Sequence, residues 1–578
     1  LTEIDADGQF VAPGFINIHS HAEIDAIATA HNMLTQGVTT EIINADGDGQ
    51  TDINVQLRQF ASQGLADNLG AYIGFNAIWQ EVMGQDNHRP NATDIAKMRE
   101  LVRNNLAAGA WGVSAGLDYP PAFYATTDEA IQVLVAAADW RTNFPNHERL
   151  RPELNFSSRA GIAETIQIAE AAGLTPEITH IKAQGHEQGR AGDIVAMLKA
   201  VSDRGHYAAA DVYPYLAGET NLAAFMIPGW AQEGGRAAML QRLKDPAQRS
   251  RIIQAAEQAM NARFGGPGGV YLTESRQELT AVIRDRRISA GEAVMQLLEQ
   301  SDADVILRFG AEPDLIEFLN NPSTAIACDC GASHQTALHP RYYGTFPRVL
   351  GRYVRERGIL SWEEAVRRMT SLPAAIIGAV DRGYLAPGMA ADVVVFDPTL
   401  VGDNATYERP LELSTGVRDV VVNGVIALRN SVPTGMKAGK IMARNSFMPT
   451  RPTTAPIDRF LHIEGILTTK KKEKRRIQIK IDQAAGQRAA TGEFRMTTGR
   501  GQSLLRSVEL GTLQIAPKWA SFTAAITSRA GSRLEFATVI IDAGNHLSGC
   551  PDLAMEVRSG ETTVATGCFE GISAGLPP

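Results

Sequence analysis

From Gly14 to about Gly378, short apolar runs alternate with longer stretches whose apolar residues recur every three or four positions. That alternation predicts parallel β/α units. Eight runs read as strands: Phe15–His21, Thr39–Asp46, Gly70–Asn76, Gly109–Gly116, Asn143–His147, Pro176–Lys182, Tyr207–Tyr213 and Ser323–Asp329. Between them, Asp94–Ala108 places Ile95, Met98, Leu101, Val102 and Leu106 on one helical face, and Ala130–Ala138 and Ile162–Ala172 repeat the pattern. Eight strands over this length predict an α/β fold built on a (β/α)8 TIM-like barrel across residues 13–382, with its chemistry at the C-terminal ends of the strands.

The pattern changes on either side of the barrel. Gly383–Asp392 leads into the strand Val393–Phe396, and Val420–Val422 is followed by Asn423-Gly424, a hairpin turn by composition. Residues 1–12 and 383–444 are expected to share a small β-domain. Prolines and threonines mark 445–458 as a linker. Beyond it, Ile477, Ile479 and Ile481 alternate with polar residues, Arg533–Asp542 reads as a strand, and Met555–Thr566 as a hairpin turning at Ser559-Gly560. Residues 459–578 are therefore read as a C-terminal all-β module of unknown role. The basic run Lys470–Arg476 reads as the solvated lead-in to a strand.

Composition narrows the function classes. At 578 residues the chain is too long for one simple domain, and 44% hydrophobic with 21% charged residues is an ordinary globular balance. A net charge of −9 argues against a nucleic-acid partner. No apolar run approaches the roughly 18 residues of a membrane span. The chain begins at Leu1 inside an apparent strand, so an N-terminal piece is expected to be missing. Cytoplasmic and exported locations therefore both stay open, as does oligomeric state. Four cysteines are too few for a disulfide framework; Cys328 and Cys330 flank Asp329, and Cys550 and Cys568 either bridge in an oxidising compartment or are unrelated thiols.

Candidate chemistry gathers at strand ends. Side chains at i and i+2 of a strand share a face, so His19 and His21 project together and can offer two imidazoles to one metal ion. A pair of polar histidines at a loop mouth is the alternative. His147 and His180 each close an apolar run, as do Asp46 and Asp329, although an Asp in that place is often a helix cap. His206 begins a strand and is read as structural.

Several motifs now occur in order: Val11–His21, Gln36–Thr40, Tyr119-Pro120-Pro121, His147-Glu148-Arg149, Ile178–Lys182, Asp211–Gly218 and His339–Gly351. Over residues 1–442 the chain resembles the N-acyl-D-amino-acid deacylase (D-aminoacylase) branch of the amidohydrolase superfamily. The resemblance implies one metal ion held by His19, His21 and Asp329 and another by His147 and His180. Asp46 stands where D-aminoacylases place a bridging cysteine. Oxygen is a harder ligand than sulfur, so the number and identity of the metals stay open, with Zn2+ as the default. The implied reaction is hydrolysis of a linear amide by metal-activated water, with Asp329 as general base and then acid.

For the substrate carboxylate the family positions Lys182, Tyr213 and Arg341, with Tyr119 at the same mouth. Glu219 replaces a small hydroxyl residue and points to neutral or basic side chains, or to a different substrate class. The expected partner is a small N-acyl amino acid or peptide-like molecule. Two other readings remain. One is a cyclic-amide (hydantoin- or dihydropyrimidine-like) or dipeptide amidohydrolase, whose relatives usually bridge their metals with a carbamylated lysine that no early strand supplies here. The other is an inert barrel with a binding tail, at odds with the complete ligand set.

Overall fold

A computed structural model describes residues 3–150, 156–444, 459–469, 471–484, 489–516, 519–528, 533–542, 553–559 and 562–575. The expected linker 445–458 and Cys550 lie outside these residues, and so do Lys470 of the basic run and Gly560 of the expected turn.

The barrel has the eight parallel strands that the apolar runs predict. They are Phe15–Ser20, Val38–Ile43, Asn68–Ala71 continued by Ile73–Gly74, Val113–Gly116, Asn143–His147, Thr175–Ile178, Ala209–Val212 and Thr324–Ile326. Each pairs in parallel with its neighbour, and a bridge from Ser20 to Cys330 joins the last strand's extension to the first. These strands bury both faces, which is why they read as near-continuous apolar runs. Several helices carry side-chain caps; Ala92–Ala107 starts with a capping box between Asn91 and Asp94.

Most strands stop short of the sequence-based ends. The run expected to reach Asp46 pairs only to Ile43, that expected to reach Lys182 ends at Ile178, and that expected to reach Asp329 ends at Ile326. In each case the chain turns through a left-handed residue beyond the strand: Asp46 (φ 55°), His180 (φ 35°) and Asp329 (φ 49°). A left-handed residue cannot continue a ladder, so these side chains sit on the first turn above the strands.

Two further units pack on the barrel. Phe10–Pro13, Val393–Phe396, Val417–Val422, Val425–Arg429 and Val432–Pro433 form a five-stranded antiparallel sheet, with Asn423 and Gly424 both at positive φ in its two-residue turn. Residues 217–308 form an insertion before the last barrel strand, not foreseen in the sequence. It pairs Ala217–Asn221, Asp304–Arg308, Val270–Leu272 and Gln277–Glu278 in one sheet and carries helices around a separate apolar core. Arg263 of this insertion donates to Asp118 Oδ2 (2.9 Å) and to the Leu150 carbonyl (2.7 Å), tying it to the loops that follow two barrel strands.

The described strands from Arg459 to Gly575 close into an eight-stranded antiparallel barrel filled by apolar side chains such as Ile477, Ile479, Ile481, Phe494 and Phe522. It packs its Ser503–Ala516 strand on the helix Ser158–Ala172, which is buried along most of its length. Arg159 at the start of that helix pairs with Glu187 (3.0 Å) and reaches Asp542 of the C-terminal barrel (3.2 Å), all three buried. Removing one member of a buried ion-pair group leaves uncompensated charge. Arg159→Met is therefore expected to lower unfolding free energy by about 3–5 kcal/mol, read by urea denaturation. A change within experimental error would show that this contact does not hold the two units together.

Candidate active site

The six candidate ligands meet above the C-terminal rim of the (β/α)8 barrel. His19 and His21 come from the first strand and its extension, Asp46 from the turn after the second, His147 from the end of the fifth, His180 from the turn after the sixth, and Asp329 from the turn after the last. Asp46 Oδ2 lies 3.4 Å from His19 Nε2, 3.8 Å from His21 Nε2, 3.9 Å from His147 Nδ1 and 3.7 Å from His180 Nε2. Asp329 Oδ1 lies 3.3 Å from His19 Nε2 and 3.1 Å from His21 Nε2.

The donors fall into two groups that share Asp46. His19, His21, Asp46 and Asp329 form one, and Asp46, His147 and His180 the other; within each, one atom per residue lies within 4.8 Å of the rest. Among the described residues, His147 Nε2 is buried without a hydrogen-bond partner, and His19 Nε2 and His147 Nδ1 face carboxylate oxygens 3.3 to 3.9 Å away. Unpaired buried imidazole nitrogens are costly, and a cation coordinated by them removes that cost. The donor set of imidazole nitrogen and carboxylate oxygen suits zinc and other divalent first-row metals.

Packing fixes this arrangement. The Asp46 turn rests on Gly74 and Gly116, where a Cβ would collide with the Gly47 and Asp46 carbonyls. Asp is among the residues that tolerate a left-handed conformation, which favours it over a β-branched residue at this turn. Asp211, at an inward position of the seventh strand, accepts from the His180 backbone N–H (2.8 Å) and lies 3.4 Å from His19 Nδ1. A carboxylate at the far nitrogen orients an imidazole and fixes its tautomer. Asp211 was not among the sequence-derived site residues, lying inside the expected strand Tyr207–Tyr213 rather than at its end.

Charge in the cluster follows from these contacts. Burial works against ionisation of Asp46, but the His19 and His180 imidazoles outweigh it and hold the carboxyl well below its usual range. Burial likewise opposes ionisation of Asp329, and Arg341 with His19 pulls it well below that range. Burial would depress His19, yet Asp46, Asp329 and Asp211 carry it well above its ordinary value. Burial and the neighbouring Lys182 push His180 well below.

A cavity of about 320 Å³ opens directly over the cluster. Lys182, Tyr213, Arg341, Tyr119 and Glu219 all line it. Arg341 donates to Asp329 Oδ2 (2.7 Å) and lies 5.0 Å from the centre of the Tyr213 ring. Lys182 Nζ sits 3.0 Å from His180 Nδ1. Tyr119 sets its ring edge-on against His147, with centroids 4.7 Å apart, and its hydroxyl reaches Thr220 (3.4 Å). The insertion contributes Phe225, Asp304, Leu307 and Phe309 to the same cavity. A disulfide between Cys328 and Cys330 brackets Asp329, a bond the sequence spacing did not predict.

Comparison with known proteins places this arrangement. A model of the Amidohydrolase family matches residues 317–428. The chain is 30% identical over 472 residues to D-aminoacylase of Alcaligenes xylosoxydans xylosoxydans, covering 77% of this chain and 90% of that protein. It is 27% identical to N-acyl-D-glutamate deacylase of the same organism, covering 78% and 89% of the two chains. Among solved structures, a crystal structure of D-aminoacylase superposes with a TM-score of 0.64 at 28% identity, covering 76% of this chain and 90% of that one. N-acyl-D-glutamate deacylase of Bordetella bronchiseptica, complexed with zinc and a phosphonate mimic of the tetrahedral intermediate, superposes with the same TM-score of 0.64 at 26% identity, covering 76% and 90%. The chain belongs to the D-aminoacylase family of amidohydrolases.

Proposed function

We propose that the protein is a metal-dependent hydrolase that cleaves the amide bond of N-acyl-D-amino acids to a carboxylate and the free amino acid. The observation that carries this reading is the sharing of Asp46 between two nitrogen–oxygen clusters at the floor of a cavity walled by Lys182, Arg341 and Tyr213. The preference for linear amides of D configuration rests on the relatives, which are named D-aminoacylase, N-acyl-D-glutamate deacylase and N-acyl-D-aspartate deacylase. One of the solved relatives holds zinc, and another is described by its binuclear metal centre.

His19, His21 and Asp329 would hold one divalent cation and His147 and His180 a second, with Asp46 between them. Such a cation, when bound, supplies the positive charge that acidifies water and polarises a carbonyl. Asp329 is the base that takes a proton from the attacking water and returns it to the departing nitrogen. Arg341 and His19 keep Asp329 ionised and so able to accept a proton, and its position on the cavity floor puts it within reach of both transfers. Arg341 can clamp the substrate carboxylate with two parallel donors, while Lys182 and the Tyr213 hydroxyl each add one. With a cation held at Nε2, His180 would carry its proton on Nδ1, which could then not accept from Lys182 Nζ 3.0 Å away, so the ammonium would be available to substrate.

The cyclic-amide alternative expects a bridging lysine at an early strand end, and here Asp46 occupies the shared position. Dialysis against a chelator is expected to lower kcat on N-acetyl-D-amino acids by at least about 100-fold, with recovery on adding zinc. N-acetyl-L-amino acids, hydantoins and dipeptides complete the panel. Cleavage confined to hydantoins, or activity indifferent to chelation, would overturn the reading.

A further inference from the structure

The insertion carries a charged feature that neither the metal clusters nor the carboxylate clamp uses. Glu219 and Asn221 lie on the strand Ala217–Asn221 and share one face, two residues apart. The ladder sets Asp304 directly opposite Asn221, whose amide donates to Asp304 Oδ1 (3.0 Å). All three side chains line the cavity above the cluster. Among the described residues Glu219 Oε1 is buried and accepts no hydrogen bond, although its carboxylate receives the His339 backbone N–H. Neither nearby cation is hydrogen-bonded to Glu219: Arg341 pairs with Asp329, and Lys182 lies against His180 and serves the substrate carboxylate in the proposed function. A buried carboxylate oxygen without a donor is an unfilled site for a cation on the ligand.

We propose that Glu219, with Asp304 farther out on the same face, forms a subsite for a cationic side chain and selects N-acyl amino acids ending in an ammonium or guanidinium, such as lysine, ornithine and arginine. This inference rests on the deacylase reading and names the substrate class for that site. Position assigns the cation to the amino-acid half of the substrate. The Glu219 charge acts on Arg341 and on the adjacent Tyr342, the side of the cavity that holds the α-carboxylate in the proposed function. The step from position 219 to 221 along a strand is about 6.6 Å, comparable to the reach of an extended lysine side chain. Phe225, Leu307 and Phe309 offer apolar wall to its methylenes while the charged head meets the carboxylates. Burial pushes Glu219 up to about 7, so the empty subsite is only partly charged near neutral pH and a bound cation stabilises its ionised form. An acidic side chain would meet repulsion from both carboxylates.

The test compares zinc-loaded full-length protein on N-acetyl-D-lysine, N-acetyl-D-norleucine and N-acetyl-D-glutamate. Norleucine keeps the aliphatic stem and lacks the ammonium. The lysine-to-norleucine ratio of kcat/KM is expected to be at least about 10 and to fall about 10- to 30-fold in Glu219→Gln, the range for a charge-assisted hydrogen bond. Asp304→Asn is expected to lower the ratio about threefold, and more with arginine, which reaches farther. Glu219→Lys shifts preference toward the glutamate derivative. Calorimetric binding of free D-lysine and D-norleucine to the same variants gives a readout independent of turnover and should show the same ordering. Hydrolysis of the norleucine compound with a ratio near one that Glu219→Gln does not move overturns the subsite and leaves the deacylase reading standing. No hydrolysis of any compound in either configuration overturns both.

Discussion

Asp329→Asn is expected to lower kcat on the best N-acetyl-D-amino acid by about 10³-fold or more, with the chain still folded. Asparagine keeps the shape and can still accept from Arg341, which sits 2.7 Å from Oδ2. It cannot take up the water proton, and it withdraws the charge that lies 3.3 Å from His19 and 3.1 Å from His21. General acid–base transfer alone is worth about 10²- to 10⁴-fold, and loss of a ligand adds to that. Metal content, measured beside kcat, separates the two contributions. Full metal with lost turnover marks the proton carrier, whereas loss of both marks a ligand first. A variant that keeps more than about a tenth of native kcat in zinc would remove Asp329 from proton transfer altogether.

How much of this site could be read from the residues depends on how local each constraint is. The pair His19 and His21 was legible because strand alternation alone puts them on one face. The eight-strand barrel was legible because burial of both sheet faces writes continuous apolar runs into the sequence. Strand ends were harder. Ile42-Ile43 and Ala325-Ile326-Ala327 give no sign of where pairing stops, and the left-handed turns at Asp46 and Asp329 are set by contacts such as the close seat of the Asp46 loop on Gly74 and Gly116. Asp211 was missed for a related reason. It lies inside the expected strand Tyr207–Tyr213 rather than at its end, and only the fold shows that it faces the far side of His19 rather than the cavity. The insertion escaped because its strands are two to five residues long and mix polar positions such as Glu219, Thr220 and Asn221 into the pattern. The bond between Cys328 and Cys330 depends on how the chain bends around Asp329, which their spacing does not specify.

Asp46 has the other large expected effect, because four imidazoles converge on one of its oxygens. In the proposed function its removal would leave His147 and His180 as two ligands alone, while His19 and His21 would keep Asp329. Two imidazoles are too few for a protein metal site, which needs three or four donors. Asp46→Asn is therefore expected to lose the metal at the His147–His180 side first and to lower kcat by about 10²-fold or more. Asparagine is the suitable replacement because it also tolerates the left-handed backbone at φ 55°, so the loss is not confused with strain. The complementary change, Asp46→Cys, restores a bridging group of the opposite chemical character. Thiolate is softer than carboxylate, so the bound zinc-to-manganese ratio after dialysis against equal concentrations should rise about tenfold or more over the native protein. Left-handed backbone at a cysteine costs about 1–2 kcal/mol, a loss that thermal unfolding of the metal-free variant registers separately. An unchanged metal ratio in Asp46→Cys, together with native metal content in Asp46→Asn, would place Asp46 outside the coordination sphere and reduce the two clusters to a set of buried ion pairs.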